Sequence, residues 1–173
     1  EDSIQFNAVA TNGTDTITGF KSNDKIQIAA TDTTENTGGA GTANVYDSIS
    51  VALTNGAAAY VIGNGTGGKT TATADVIAIS TTLSAHGDLS KATDGTELLK
   101  ALSSSASAAA TGLTVANSGE KLYLLAYQDS KAYLYHADSG ADVNVTANEI
   151  ALVGVFDDIT ANGLTAANFG VTL

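Results

Sequence analysis

The runs KLYLLAYQ and KAYLYHA, at residues 121–128 and 131–137, are separated only by Asp129 and Ser130. Tyr, Leu and Ala fill both runs, with Tyr123, Leu125 and Tyr127 alternating against Leu122, Leu124 and Ala126. Alternation at a period of two places the sets on opposite faces of a strand, and a two-residue gap of turn-forming residues joins such strands tightly. The segment therefore predicts a β-hairpin, and a hairpin this apolar must be buried in a sheet.

The rest of the chain offers that sheet partners. EIALVGVF, at 149–156, is a last long strand, and LTAANFGVTL, at 164–173, is a short turn or helix ending in an extended tail. Near the start Ile4, Phe6 and Ala8 alternate, followed by Ile17 and Phe20, then by Ile26 and Ile28, with TNGTD and KSND as turns. A polar loop, TDTTENTGGAGTAN, leads to YDSISVAL and AAAYVIG, which read as a hairpin around Thr54, Asn55 and Gly56, and ADVIAIS is a further buried strand. The pairing expected throughout is antiparallel. Residues 94–110 change period, with Leu98, Leu99, Leu102, Ala106 and Ala109 at helical spacing, Asp94 and Glu97 as a capping box and Gly112 as the stop. The expected fold is mainly β, an antiparallel sandwich or β-roll-like domain with one covering helix at about residues 94–110. It forms one domain over residues 1–173, divisible into a β lobe at 1–90 and a helix-plus-β lobe at 91–173.

Charge narrows the function. Seven Lys, no Arg and 18 carboxylates give a formal charge of −11, which repels nucleic-acid phosphates and anionic membrane surfaces. No apolar run is long enough to insert in a membrane as a helix. With no Cys, disulfides, thiolate zinc sites and Cys nucleophiles are excluded, and metal ions become the available cross-link for an acidic domain. The absence of Met, at position 1 as elsewhere, reads as a processed or excised product.

Asp138 to Glu149, in HADSGADVNVTANEI, has the oxygen spacing of a twelve-residue calcium loop. Asp138 stands at position 1, Asp142 at 5, Asn144 at 7 through its carbonyl, Thr146 at 9 and Glu149 at 12, with apolar Val145 at 8 as an anchor. Gly140 occupies position 3, where a ligand is usual, and Val143 replaces the turn glycine of position 6. The competing reading is a polar turn with Glu149 as a cap or in solvent. Strands rather than helices flank the loop, so it reads as a clip that holds, not as a calcium sensor that opens helices.

A weaker second site is signalled by Asp15 and Asp24. Gly13-Thr14-Asp15-Thr16-Ile17 follows the second half of the nonapeptide G-G-x-G-x-D-x-U-x, which binds Ca²⁺ between coils of a parallel β-helix, although tandem copies are absent. Asp15, Ile17, Phe20, Asp24, Lys25, Ile26 and Ile28 resemble the segment that closes the repeat array in RTX proteins exported by bacterial type I secretion. The stretch from LYLLAYQ to LTAANF is similar to the ends of RTX-type and S-layer-type surface proteins. This resemblance covers about half the chain. It implies export without a cleaved N-terminal signal, an address near the C-terminus, and folding on meeting extracellular Ca²⁺.

Other motifs carry less. GNGTGGKT satisfies the phosphate-loop pattern through Lys69 and Thr70, but the β-branched residues after it lead into a strand rather than the helix that a phosphate cradle requires. His86 and His136 lack a nucleophile motif, and Asp157 and Asp158, adjacent in a strand, point apart. The tyrosines of 123–135 are candidates for a sugar-binding face, about half of them by alternation being core.

The expectation is a non-enzymatic, structural, calcium-stabilised domain of a secreted bacterial surface protein. It would self-assemble into a surface layer or filament, carry the C-terminal secretion region, or do both, and DSIQFNAV would be available to join a neighbouring subunit's sheet. The alternatives are a calcium-dependent adhesin binding cell-surface glycan and a non-catalytic C-terminal piece of a secreted enzyme.

Overall fold

The computed structural model describes residues 1–6, 13–34, 46–49, 60–61, 74–104, 112–115 and 117–172. Its strands are β1 (Ser3–Phe6), β2 (Asp15–Ile17), β3 (Lys25–Ala29), β4 (Tyr46–Ile49), β5 (Tyr60–Val61) and β6 (Val76–Ile79). After the helix α1 (Thr96–Ala101) come β7 (Leu113–Thr114), β8 (Lys121–Gln128), β9 (Lys131–Asp138), β10 (Asn144–Val145), β11 (Ile150–Asp157) and β12 (Phe169–Thr172). Single 3-10 turns lie at Ala30–Asp32, Ala147–Glu149 and Ala166–Asn168.

The expected hairpin is the centre of the molecule. β8 and β9 pair antiparallel from Lys121 opposite Asp138 to Gln128 opposite Lys131. Asp129 and Ser130 both take left-handed backbone, φ 51° and 58°, the conformation that a two-residue turn needs to match strand twist. β11 adds antiparallel to β9, completing three long strands with local or near-local pairing.

Around these three, the pairing differs from the antiparallel expectation. The main sheet has the order β2-β11-β9-β8-β6-β4, with β2 parallel to β11, β6 parallel to β8 and β4 parallel to β6. A second sheet, β1-β3-β12, is parallel throughout, and a small third sheet has the order β10-β7-β5. Residue alternation reports which face a side chain takes and is silent on strand direction, so the mixed pairing left no trace in the periodicity. β6 shows the consequence: Val76, Ile77, Ala78 and Ile79 are all buried, as befits a strand covered on both faces. β4 and β5, expected as a hairpin, belong to different sheets, and Thr54, Asn55 and Gly56 lie outside the described residues. β1 pairs with β3 of its own chain and forms one edge of that sheet.

The main sheet is packed on both faces. On one, Ile77, Leu122, Leu124, Tyr133, Tyr135 and Leu152 meet Leu98, Leu99 and Leu102 of the helix region, together with Leu113 and Val145 of the small sheet. On the other, Val76, Tyr123, Leu125, Leu134 and Phe156 meet Phe6, Ile26, Ile28 and Val171 of the parallel sheet. The result is a mainly β sandwich with one covering helix. Phe156 ties the layers edge-on to Phe20 at 5.2 Å and to Phe6 at 6.3 Å. Each large apolar side chain so buried contributes about 1.5–3 kcal/mol.

The helix is shorter than its sequence pattern. It begins after Gly95, and Leu102 is its C-cap. Ser103 and Ser104 follow, and serine hydroxyls compete for the backbone groups that a helix would use. Ala106 and Ala109 lie outside the described residues. The capping box is also replaced. Asp94 accepts from the Thr96 N–H at 2.9 Å, while Glu97 reaches away to the Asp88 N–H at 2.9 Å and to Lys100 Nζ at 2.7 Å. Gly112, expected to stop the helix, instead permits β7 to approach β10: a Cβ there would lie 2.4 Å from the Val145 carbonyl oxygen.

Two strands are introduced by the same local device. Before β11 the Glu149 carboxylate accepts from both the Thr146 N–H and its hydroxyl, each at 2.8 Å. Before β12 the Asn168 amide oxygen accepts from the Thr165 N–H at 3.0 Å and its hydroxyl at 3.3 Å. Asn168 does more, because its amide nitrogen donates to the Ser22 and Asp24 carbonyls at 3.0 and 3.1 Å. That one buried side chain fastens the C-terminal strand to the turn that precedes β3.

Candidate functional site

The Asp138–Glu149 segment leaves β9 and enters β11, with the two-residue strand β10 paired to β7 between them. Val145 is fully buried and anchors the loop, as its apolar character required. At each end of the loop a carboxylate closes a turn of backbone. Asp138 Oδ1 accepts from the Gly140 N–H at 3.0 Å, and its other oxygen lies 3.4 Å from Lys121 Nζ. Asp142 Oδ1 accepts from the Asn144 N–H at 2.7 Å. Glu149 uses Oε2 for the Thr146 cap, so the capping reading of this residue describes its hydrogen bonds.

The two departures from calcium-loop spacing have a common physical explanation. Gly140 has φ +57°, and a Cβ on it would lie 3.2 Å from Glu149 Oε1. The sharp bend is therefore made at position 3, and the carboxylate at position 12 folds back against it. Val143, at position 6, takes no left-handed backbone and is 42% exposed, its carbonyl accepting from the Val115 N–H. The loop is closed by Glu149 on Gly140, with a path different from that of a helix-flanked calcium loop.

The donor set is made of hard oxygens. The Asn144 amide oxygen is buried over Gly112 and accepts no hydrogen bond, and Glu149 Oε1 is not used by the cap. Oxygens of this kind fit Ca²⁺ in chemistry. As placed, no three Asp, Glu or His side chains among the described residues gather around one point. An ion at the loop would draw on Asn144, Glu149 and backbone carbonyls as well as on Asp138 and Asp142.

Asp15 and Asp24 stand apart in the fold. Asp15 begins the edge strand β2 opposite Gly154 and is exposed. Asp24 is buried in the turn before β3, where its two oxygens accept from the backbone N–H groups of Asp2 at 2.8 Å and Lys21 at 2.9 Å. Those two bonds hold its carboxyl below the usual carboxylate range. Its role in the fold is to cap that turn and pin β1.

Among the remaining candidates, the tyrosines are corrected. Tyr123, Tyr127, Tyr133 and Tyr135 are all at most 9% exposed, so they pack both cores and form no open sugar-binding platform. The six inner positions of β8 and of β9 are all buried because both faces of the main sheet are covered. His136 is buried too. Its Nε2 lies 2.9 Å from the Asp32 carbonyl and its ring 5.2 Å edge-on from Tyr123, and burial lowers its pKa. His86 is exposed, Asp157 pairs with Lys131 at 2.7 Å, and Lys69 and Thr70 lie outside the described residues. A buried carboxylate that spacing did not nominate, Glu120, accepts from the Asn117 N–H at 2.9 Å beside Ser139 at the start of the loop.

Sequence reasoning also missed a cleft at the outer edge of β11. That edge changes partner midway: the Leu152 N–H donates to the Thr93 carbonyl and Asp94 bridges Ala151, whereas β2 takes over from Gly154 onward. The switch coincides with a register shift between Leu152 and Gly154, and a cavity of 610 Å³ opens there. Its residues come from four separate stretches of chain, so no local motif could signal it. No family model, curated protein or solved structure matches this chain.

Proposed function

We propose that the chain is a structural, calcium-stabilised domain of a secreted bacterial surface protein, self-assembling into a layer or filament and carrying the C-terminal secretion region. The observation that supports this most is the self-closed Asp138–Glu149 loop. An acidic loop joins two central strands, its last carboxylate returns to its third residue, and an oxygen donor, Asn144, is buried there without a partner. Bound Ca²⁺ would supply positive charge between these oxygens and lock β9 to β11. In a chain of formal charge −11, such a charge also reduces self-repulsion. Edge strands β1 and β12 of the parallel sheet, and β2 and β4 of the main sheet, are the elements through which sheets of neighbouring copies would join.

Two substitutions separate the ion from the cap. Glu149→Gln retains an oxygen for Thr146 but removes the charge, so it lowers the melting temperature in calcium and hardly changes it in EGTA. Glu149→Ala also removes the cap and costs about 0.5–2 kcal/mol in both conditions. Differential scanning calorimetry of both variants, with calorimetric titration of Ca²⁺, reads the difference. Identical melting of the unaltered chain in calcium and in EGTA would remove the ion from this reading. Sedimentation velocity in calcium tests assembly, and a monodisperse monomer at every concentration would refute it.

A further inference from the structure

We propose that Lys121 is a built-in competitor for calcium at the Asp138–Glu149 loop and sets how much calcium the loop requires. This role rests on the calcium binding proposed above, of which it names the controlling residue. Lys121 opens β8 and is the ladder partner of Asp138, the last residue of β9, so both side chains leave the same face of the sheet where the loop begins. Its backbone is fixed as well, the N–H donating to the Thr34 hydroxyl at 2.9 Å and the carbonyl accepting from the Thr34 N–H at 3.1 Å. The root of the side chain is held while its ammonium reaches Asp138.

The loop's three carboxylates share one pattern. Each spends one oxygen on the loop's own backbone: Asp138 Oδ1 on the Gly140 N–H, Asp142 Oδ1 on the Asn144 N–H and Glu149 Oε2 on the Thr146 N–H. The second oxygen of each is left for a cation. Asp142 Oδ2 and Glu149 Oε1 take no hydrogen bond or ion pair from the described residues, whereas Asp138 Oδ2 lies 3.4 Å from Lys121 Nζ. An ion that recruits Asp138 without opening its turn with Gly140 must take that oxygen and displace the ammonium. Among the described residues no other lysine is ion-paired to the loop, since Lys91, Lys100 and Lys131 pair with Asp88, Glu97 and Asp157.

The pair is of the kind that can be given up. Its separation exceeds the 2.7 Å of Lys100–Glu97 and of Lys131–Asp157, and its two side chains are 39% and 42% exposed. A single-point pair so open to water is weak, and a divalent ion drawing on several oxygens outbids it. The ammonium is tethered, however, so it cannot diffuse away and stays beside the ion to repel it. Both effects raise the calcium concentration at which the loop fills. For a domain of the kind proposed above, the loop then fills only where calcium is abundant.

The test is calorimetric titration of calcium chloride into the calcium-stripped whole chain, with melting in calcium and in EGTA as a second readout. Lys121→Gln is expected to lower the dissociation constant by about two- to tenfold. It should raise the melting temperature in calcium and leave it nearly unchanged in EGTA. Lys121→Arg keeps the charge and adds a two-pronged grip on the carboxylate, so it should bind calcium no more tightly than the parent. Lys131→Gln makes the same change in net charge at the other end of β9, roughly 23 Å away at the rise of a strand and beyond the screening length, and should bind as the parent does. A Lys121→Gln constant equal to the parent's would overturn the proposal and leave calcium binding standing, as would the same tightening in Lys131→Gln or any tightening in Lys121→Arg. No binding by either readout in any of these chains would overturn it together with the calcium reading.

Discussion

Asn168 is 2% exposed and makes four hydrogen bonds, two accepted from Thr165 and two donated to the carbonyls of Ser22 and Asp24. Asn168→Ala removes all four. The bond to the Asp24 carbonyl is buried, so that oxygen is left without a partner at about 1–3 kcal/mol, and the others contribute about 0.5–1.5 kcal/mol each before non-additivity. A total loss of roughly 2–5 kcal/mol follows. At about 2–4 °C per kcal/mol for a domain of this size, the melting temperature falls by about 4–20 °C. Asn168→Asp is the sharper perturbation. It keeps an oxygen for Thr165 but turns an oxygen toward the Ser22 and Asp24 carbonyls, so at neutral pH it destabilises more than alanine. Burial and those carbonyls raise the new carboxyl's folded pKa above its unfolded value. Its destabilisation is therefore full above the folded pKa and shrinks as pH falls, when the protonated group donates to one carbonyl. Urea unfolding at neutral and mildly acidic pH measures both effects through the midpoint at constant slope. An aspartate variant as stable as the parent at neutral pH, or an alanine variant within about 0.5 kcal/mol of it, would refute the claim that this side chain fastens β12 to the β3 turn.

Other consequences are equally direct. Gly154→Val places a Cβ 2.8 Å from the ring of buried Phe6, and over-packing of this kind should cost about 1–3 kcal/mol in urea titrations. Ser130→Gly relieves a non-glycine residue of φ 58° in the hairpin turn and should stabilise by up to about 1 kcal/mol, visible as a higher urea midpoint. Glu97 is held below its ordinary pKa first by Lys100 and then by the Asp88 N–H. A depressed carboxylate contributes stability that is present above its unfolded pKa and lost as pH falls through the folded one. Melting curves of Glu97→Gln should accordingly approach those of the parent only in acid, and a constant gap down to that range would exclude the linkage.

What could be read before folding was what neighbours along the chain decide. The β8–β9 hairpin rests on alternation and on two residues able to turn between the strands, and the same local logic gives β11 as a strand and Ala166–Asn168 as a turn ahead of β12. Val145 as an anchor was legible because an isolated apolar residue in a polar loop has few places to go. The covering helix was legible in its Leu98–Leu99 register but not in its length, because the Ser103–Ser104 competition is weak against five helix-spaced apolar positions.

Strand direction, and with it every parallel pairing, was settled only by tertiary structure, since a period of two is the same read forward or backward. The loop shows the same division. Composition and spacing set down hard oxygens from Asp138 to Glu149, but the chain's path decides which of them are spent on backbone N–H groups and which remain. A carboxylate takes whichever donor the fold brings nearest. For Asp24 the donors are the N–H groups of Asp2 and Lys21, and for Glu149 they are the N–H and the hydroxyl of Thr146. The sequence alone therefore determined that this is an acidic, disulfide-free β domain with oxygen-rich turns. The pairing of distant segments determined where those oxygens point, and opened a lysine-lined cleft between stretches of chain that no local pattern connects.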